Sequence, residues 1–450
     1  MNASEQAARP FPERDSICVS HYPIPVSNPT PQEAARLMEL DRPKAGDQQV
    51  ALYLHIPFCD LTCSFCPFNK YVKHQDQVDR YLAALKDEIA LYGRTAYGKS
   101  AVIGSINLGG GTPSCLTLQE LTAILQAIKG AFTVAPDAMI FVEGNPRNFT
   151  RDKLAGLRAE GLSRISVGVQ TFQPRLGGYL NLYHTVEDSE RLLADARELG
   201  IDNIGIDLMY NLPGQTDEDW RADIETSIAL GIDHICLISF CVVPHTPIAE
   251  KIRAGEVPSV GTLDDEIRFY AEARRMLLAA GYEQYSVIDF ALPGKIDRHA
   301  AMYFGEQSDL IGIGSAAFGF LNGYMYINDG NLAEYIDKVN AGGLSVACGE
   351  KSAPEEFAHG MMAKGLRMLS VDRGDFRQRF GCDPEDLFPD TMAELTASGL
   401  IEADASGVRL TEQGIIWGNN VCKAFFSEKY KNYGLQARMK LAKGRPVQSV

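Results

Sequence analysis

The chain has 450 residues, 45% hydrophobic and 22% charged, with a formal net charge of −15. That length accommodates one large catalytic domain plus a smaller one, and the acid excess excludes a duplex or an RNA backbone as partner. The N-terminal run MNASEQAARPFPERD has acidic residues and no apolar core, and no stretch of about 18 uninterrupted apolar residues follows. A cytoplasmic protein without a membrane segment is therefore expected, and its ten cysteines, too sparse for a disulfide scaffold, are expected to be reduced.

Residues 1–48 hold Pro10, Pro12, Pro23, Pro25, Pro29, Pro31 and Pro43, which break regular structure and predict an arm packed on the main domain, with room for a short helix over Gln32–Leu40. Six short apolar runs then recur: Val50–Ile56, Ser105–Leu108, Met139–Val142, Arg164–Val169, Asn203–Met209 and His234–Phe240. Between them lie helical patterns at Gln77–Tyr92, Thr117–Phe132, Arg151–Glu160, Val186–Leu199 and Asp217–Leu230, the last two followed by a glycine stop. Strands and helices alternating at this spacing predict a parallel sheet with right-handed crossovers, closed as a partial (β/α)6 barrel over residues 49–282 with its site at the C-terminal strand ends.

A helix at Leu263–Ala280 leads into a less regular post-barrel region, 283–349, with two further short strands and the substrate-site candidates His299, Tyr303 and Tyr324. Residues 350–450 begin with a helix, Pro354–Met368, and include the strand–turn–strand LIEADASGVRLTEQG, as in a small winged-helix-like domain. With this net charge, a lid or substrate wall is the expected role for that domain. The basic tail, Lys423–Arg445, reads as a solvated helix and tail.

The strand ALYLHIPF runs straight into CDLTCSFC, so Cys59, Cys63 and Cys66 share one loop at a strand's C-terminal end. Thiolates select iron–sulfur clusters, and a cubane normally takes four; three leave one iron open to an external ligand. A zinc site with His55 as fourth ligand, or plain reduced core cysteines, are the bland alternatives.

LYLHIPFC, CDLTCSFC, GGGTP, VEGNP, GVQTF, IDLMYNLPGQT and LTEQGIIWGNNVCKAFF occur in that order across residues 50–430. This series resembles the radical S-adenosylmethionine (SAM) enzymes of the anaerobic coproporphyrinogen dehydrogenase, or HemN-like, family. The resemblance implies a [4Fe-4S] cluster on Cys59, Cys63 and Cys66 whose open iron is chelated by SAM, cleaved to a 5′-deoxyadenosyl radical. It implies SAM contacts from Gly109, Gly110 and Gly111, whose bare backbone admits the methionyl amino group, from Thr112, which with Pro113 fixes the turn, and from Glu143, Gln170 and Asp207 at successive strand ends. Loop capping is the plainer role for those three. Tyr53 and Phe65 are placed beside the cluster, as shields or as core aromatics, and Tyr53 and Glu143 are the candidate catalytic residues.

The dehydrogenases resembled here carry a further cysteine after the triad and an arginine beyond GVQ-x-F; this chain has Pro67-Phe68 and Leu182. The heme-chaperone signature is only partly present in RHAAMYFGEQSDLIGIGSAAFG. LNGYMYIND and WGNNV are closer to the class C radical SAM methyltransferases and cyclopropanases, which implies two SAM molecules, the second as carbon donor, and a small aromatic, heteroaromatic or tetrapyrrole substrate methylated at an sp2 carbon. No D-x-H-x2-G run precedes the cysteine loop, so cobalamin is not expected. Decarboxylation of a porphyrinogen propionate, heme carriage and heme-degrading methylation are the alternatives, with flavodoxin or ferredoxin as electron donor.

Overall fold

A computed structural model of the chain describes residues 9–16 and 19–431; the basic tail beyond Lys431 lies outside the described residues. Six strands follow the predicted order: β1 (Val50–Ile56), β2 (Val102–Gly110), β3 (Thr133–Gly144), β4 (Arg164–Gln170), β5 (Ile204–Tyr210) and β6 (His234–Ser239). Each pairs in parallel with the next. The helices α1 (Gln75–Arg94), α2 (Leu118–Ala131), α3 (Arg151–Ala159), α4 (Val186–Glu198) and α5 (Asp217–Ala229) connect them, the alternation from which right-handed crossovers arise.

Local chemistry starts these helices where they start. Thr117 with Glu120, Thr185 with Asp188 and Thr216 with Asp219 form reciprocal capping boxes at α2, α4 and α5, and each such cap contributes about 1 kcal/mol. Gly200 and Gly231 stop α4 and α5 with φ of 72° and 63°, the left-handed geometry that glycine adopts without a Cβ penalty. On β1 the alternation is complete: Val50, Leu52, Leu54 and Ile56 join the core under the helices, whereas Ala51 and Tyr53 join an inner aromatic cluster with Tyr303, Phe320 and Met325.

The sheet is wider than the six-strand reading. After α6 (Leu263–Ala279), β7 (Asp289–Ala291) pairs antiparallel with β6. The chain then returns to the opposite edge, where β8 (Leu310–Ile313) pairs in parallel with β1. Antiparallel strands β9 (Phe318–Leu321), β10 (Tyr324–Asn328) and β11 (Val346–Lys351) follow; with the short strand Glu283–Gln284, paired to β7, the sheet has twelve strands among the described residues. Tyr324, expected beside the substrate, belongs with Tyr326 to the core under the helices and lies against Gly349; strand alternation sends it away from the inner face.

The C-terminal region opens with α7 (Pro354–Arg367) and carries a three-stranded sheet whose hairpin, Ile401–Ala403 and Gly407–Leu410, is completed by Ser370–Asp372. Asp404 accepts the Ser406 and Gly407 N–H groups at the hairpin turn. The arm is tied to both neighbours: Arg14 donates to Tyr210 Oη at 2.7 Å, to Glu266 at 2.5 Å and to the Ile416 carbonyl at 2.7 Å. Ser27 exchanges backbone bonds with Gly349.

Candidate active site

The cysteine loop is anchored before any cofactor is considered. Phe58–Cys59 pairs in parallel with Tyr71–Val72, Ser64 donates from N–H and Oγ to the Leu180 and Tyr179 carbonyls, and Asn148 donates to Asp60 at 2.7 Å. Lys70 Nζ donates to the Cys66 carbonyl at 2.6 Å. Thr112 Oγ1 donates to Cys59 Sγ at 3.3 Å. Burial pushes the Cys63 thiol up to about 11, with Cys66 and Cys59 adding to the rise, while Lys70 works against it.

The glycine run also has a structural reason of its own. A Cβ on Gly109 would lie 2.6 Å from the Glu143 carboxylate, one on Gly110 2.7 Å from the His55 ring, and one on Gly111 2.8 Å from the Phe58 carbonyl. Those positions are bare because neighbouring protein groups occupy the space. The N–H groups of Gly110, Gly111 and Thr112 donate to Glu143, Ile56 O and Phe58 O. That side of the turn therefore has no free amide donors for an anion.

Glu143 is the centre of the inner polar group. Its Oε1 accepts from Asn107 Nδ2 at 3.1 Å and its Oε2 from Gly110 N–H at 3.3 Å. Burial raises its carboxyl above the usual range, the two hydrogen bonds opposing. Asp207 is pushed up to about 7 by burial and then by Glu143 and Asp289, with Arg164 opposing. Arg164, 1% exposed, donates to Asn203 at 2.5 Å. Its cost of burial is offset by that bond and by these carboxylates.

A cavity of about 330 Å³ brings Tyr53, His55, Gly110 and Glu143 together with Pro67, Phe68, Asn69, Phe318, Asn328 and His21 of the arm. The Tyr53 ring stacks on Phe318 with centroids 5.0 Å apart, and its hydroxyl pairs with His55 Nδ1 at 2.9 Å. His55 Nε2 faces the Asn69 carbonyl at 3.4 Å, so both ring nitrogens have protein partners and the zinc-ligand alternative loses its fourth donor. Burial lowers His55 to about 4 and keeps it neutral.

Gln170 and Asp207 are not on this cavity's wall. Gln170 sits at φ 67°, an uncommon conformation for a non-glycine residue, and its Oε1 is buried without a hydrogen-bond partner. Phe65 packs on Phe240 at 6.5 Å in the same apolar cluster as Leu182, a core aromatic. His299 Nδ1 is held by Ser105 Oγ at 2.9 Å.

Sequence reading missed His21, Asn107, Arg164, Phe318 and Asn328. Only Arg164 had a local signal, a cation inside an apolar strand. His21 and Phe318 come from segments far from the cysteine loop in sequence, and their rings meet at 4.0 Å.

The donor set suits an iron–sulfur cluster and SAM. Three thiolates on one loop can each take a different iron of a cubane. Amide oxygens of Asn107, Gln170 and Asn328 are buried without partners. Of these, Asn328 lines the cavity with Glu143, and Asn107 stands behind Glu143, an acceptor-rich wall complementary to a ligand bearing ammonium, sulfonium and ribose hydroxyls.

Comparison with known proteins agrees with this geometry. The family description "Radical SAM superfamily" matches residues 53–226, and "HemN C-terminal domain" matches residues 353–417. The heme chaperone HemW of Bacillus subtilis (strain 168) is 32% identical over 378 residues, 84% of this chain and 99% of that protein. The oxygen-independent coproporphyrinogen III oxidase of Escherichia coli (strain K12) is 28% identical over 396 residues, 84% of this chain and 86% of that protein. A solved structure of coproporphyrinogen III oxidase (HemN) from Escherichia coli, described as a radical SAM enzyme, superposes with a TM-score of 0.78 at 27% identity, covering 87% of this chain and 93% of that one.

The chain belongs to the HemN-like family of the radical SAM superfamily. The relatives carry the names of heme chaperones and coproporphyrinogen oxidases, so the methyltransferase branch expected from short motifs draws no support from them. No helix among the described residues is long and apolar enough to cross a membrane.

Proposed function

We propose that the protein is a SAM-binding iron–sulfur protein of tetrapyrrole metabolism, closer in role to the heme chaperones than to the porphyrinogen decarboxylases. The observation that carries this reading is the division of the 330 Å³ cavity into a polar wall, His55, Gly110 and Glu143, and an aromatic wall, Tyr53 and Phe318. Phe68 lines the same cavity and is 68% exposed, an apolar rim that a flat ring system covers on binding. Pro67-Phe68 and Leu182 replace the additional cysteine and the arginine that the resemblance associates with decarboxylation, and Leu182 packs in an apolar cluster.

Cys59, Cys63 and Cys66 would hold the cluster, with Thr112 hydrogen-bonding one sulfur. Gly110 and Glu143 would line the SAM end, assisted by Gln170 and Asp207. When bound, the reduced cluster supplies the electron that cleaves SAM. Asn107 and the Gly110 N–H hold Glu143 in place, and the Tyr53 hydroxyl orients His55. The arm closes the cavity through His21, and flavodoxin or ferredoxin is the proposed reductant.

The test is anaerobic reconstitution, followed by incubation with SAM and dithionite in the presence of heme or coproporphyrinogen III, with products read by mass spectrometry. Stoichiometric heme retention with slow 5′-deoxyadenosine formation is expected. Carbon dioxide release from coproporphyrinogen would replace the chaperone reading with decarboxylation. S-adenosylhomocysteine alongside 5′-deoxyadenosine would replace both with carbon transfer.

A further inference from the structure

A second cavity, of about 780 Å³, lies between the antiparallel extension of the sheet and the C-terminal region, walled by Phe320, Phe357, Met361, Lys364 and Phe380. We propose that it is a binding site for a flat, apolar carboxylic acid whose carboxylate is received by Lys364. The two cavities share an aromatic partition. Phe318 lines the first and Phe320, two residues on along β9, lines the second, while the Tyr303 ring stands 6.2 Å from Phe318.

Lys364 is the reason to assign a ligand. The residue is 2% exposed, and its Nζ lies 4.6 Å from the Tyr303 ring centroid and 4.8 Å from that of Phe320. No hydrogen bond or ion pair of this ammonium is found among the described residues. A buried cation with only ring faces for company retains much of its desolvation cost, since ring faces replace only part of the hydration it has lost. Burial pulls its pKa down to about 7, and Arg379 pushes the same way.

The carboxylate that could have neutralised it is already engaged. Asp309 accepts Tyr97 Oη at 2.6 Å through Oδ2 and Asn322 N–H at 3.0 Å through Oδ1. Glu356, also on the wall, accepts from Tyr22 Oη. Glu355 is exposed and lines the same cavity, as does exposed Arg379. One buried cation, one exposed cation and aromatic walls favour a ring system with a single carboxylate directed inward; Glu355 disfavours a second negative charge near it. This assignment is independent of the reaction proposed above, because it concerns binding without SAM or reductant.

Full-length protein titrated with 1-naphthoate and with its neutral counterpart 1-naphthalenemethanol, followed by ligand fluorescence, tests the proposal. Naphthoate should bind at least about tenfold more tightly than the alcohol, the minimum for a charge-assisted hydrogen bond in a dry site, and Lys364→Met should remove that preference while leaving alcohol binding unchanged. An unchanged preference in Lys364→Met, or no naphthoate binding by the unmodified protein, overturns it. Should Lys364→Met fail to fold, Phe357→Asp at the partly exposed wall serves instead: it should repel naphthoate at least about threefold more than the alcohol, and equal loss of both overturns the proposal.

Two sources share this chemistry, and competition separates them. Displacement of naphthoate by mesoporphyrin IX but not by its dimethyl ester supports the site and assigns it to the propionate of a tetrapyrrole. Retention of naphthoate against both supports it as the site of a separate aromatic acid.

Discussion

Two carboxylates lie on opposite faces of the sheet, Glu88 buried and Glu143 half-buried, and their surroundings separate structural from chemical polarity. Glu88, on α1 outside the sheet, accepts from Asn328 Nδ2 at 3.0 Å, Gly314 N–H at 2.8 Å and Tyr335 Oη at 2.7 Å. Glu143, inside, has only two bonds, both longer, at 3.1 and 3.3 Å. Three short bonds to one carboxylate fix one arrangement of the chain; two long ones retain acceptor capacity for something else. The contrast places recognition on the inner face and stability on the outer one.

The largest effect should come from the cysteine loop, which lies on the inner side of that division. Cys63→Ala is expected to abolish cluster absorbance and reduce SAM cleavage by more than the roughly 10–100-fold that changes around metal ligands cost. Its thermal midpoint before reconstitution should match the unmodified protein, because the loop is anchored by Ser64, Asp60 and Lys70. A variant that keeps its full iron and sulfide content would refute the ligand assignment.

Glu143→Gln comes next. The amide leaves Gly110 N–H or Asn107 Nδ2 without its acceptor and removes a negative charge, so SAM affinity measured by calorimetry should fall about tenfold to a hundredfold, equivalent to 1.5–3 kcal/mol. If SAM affinity holds and only the thermal midpoint drops, Glu143 is as structural as Glu88.

Much of the frame behind these predictions was legible in the sequence. Strands β1 and β4 to β6 are continuous apolar runs, and Thr-led caps mark the helix starts. β8 falls in the region where two further short strands are expected, but its place beside β1 was not legible, because four residues of a buried strand have the same composition as any apolar loop. Its pairing with β1 depends on contacts across the whole barrel. The cysteine triad and Glu143 announce themselves by spacing and by position at a strand end. Asn107 and Phe318 carry no such mark, since an amide or an aromatic inside a strand has many ordinary reasons to be there.

Glu88 supplies the converse test. Burial pushes its carboxyl up to about 7, its three hydrogen bonds opposing, against about 4.3 in the unfolded chain. The folded state therefore holds the proton to higher pH, and this group's contribution is most favourable below about pH 4.3 and lost as pH rises towards 7. Glu88→Gln should flatten the decline in thermal midpoint between pH 5 and 8, by a few kcal/mol in stability, with SAM affinity unchanged. Parallel pH profiles for the two proteins would show that Glu88 ionises as an ordinary carboxyl.

The smallest expected effect is at Gln170, where the two kinds of burial meet. Its φ of 67° costs on the order of 1 kcal/mol, its amide nitrogen lies over Gly168, and its Oε1 has no partner. Gln170→Ala retains the backbone cost and deletes a side-chain amide whose oxygen is unpaired, so the thermal midpoint should move little. If that oxygen receives a SAM hydroxyl or ammonium, affinity should fall about threefold to tenfold, the value of one ordinary hydrogen bond. Gln170→Gly, which also relaxes the backbone, should lose the same affinity while gaining stability. Equal SAM affinity in all three proteins would move Gln170 to the structural side of the sheet and leave Glu143 as the polar group that distinguishes the inner face.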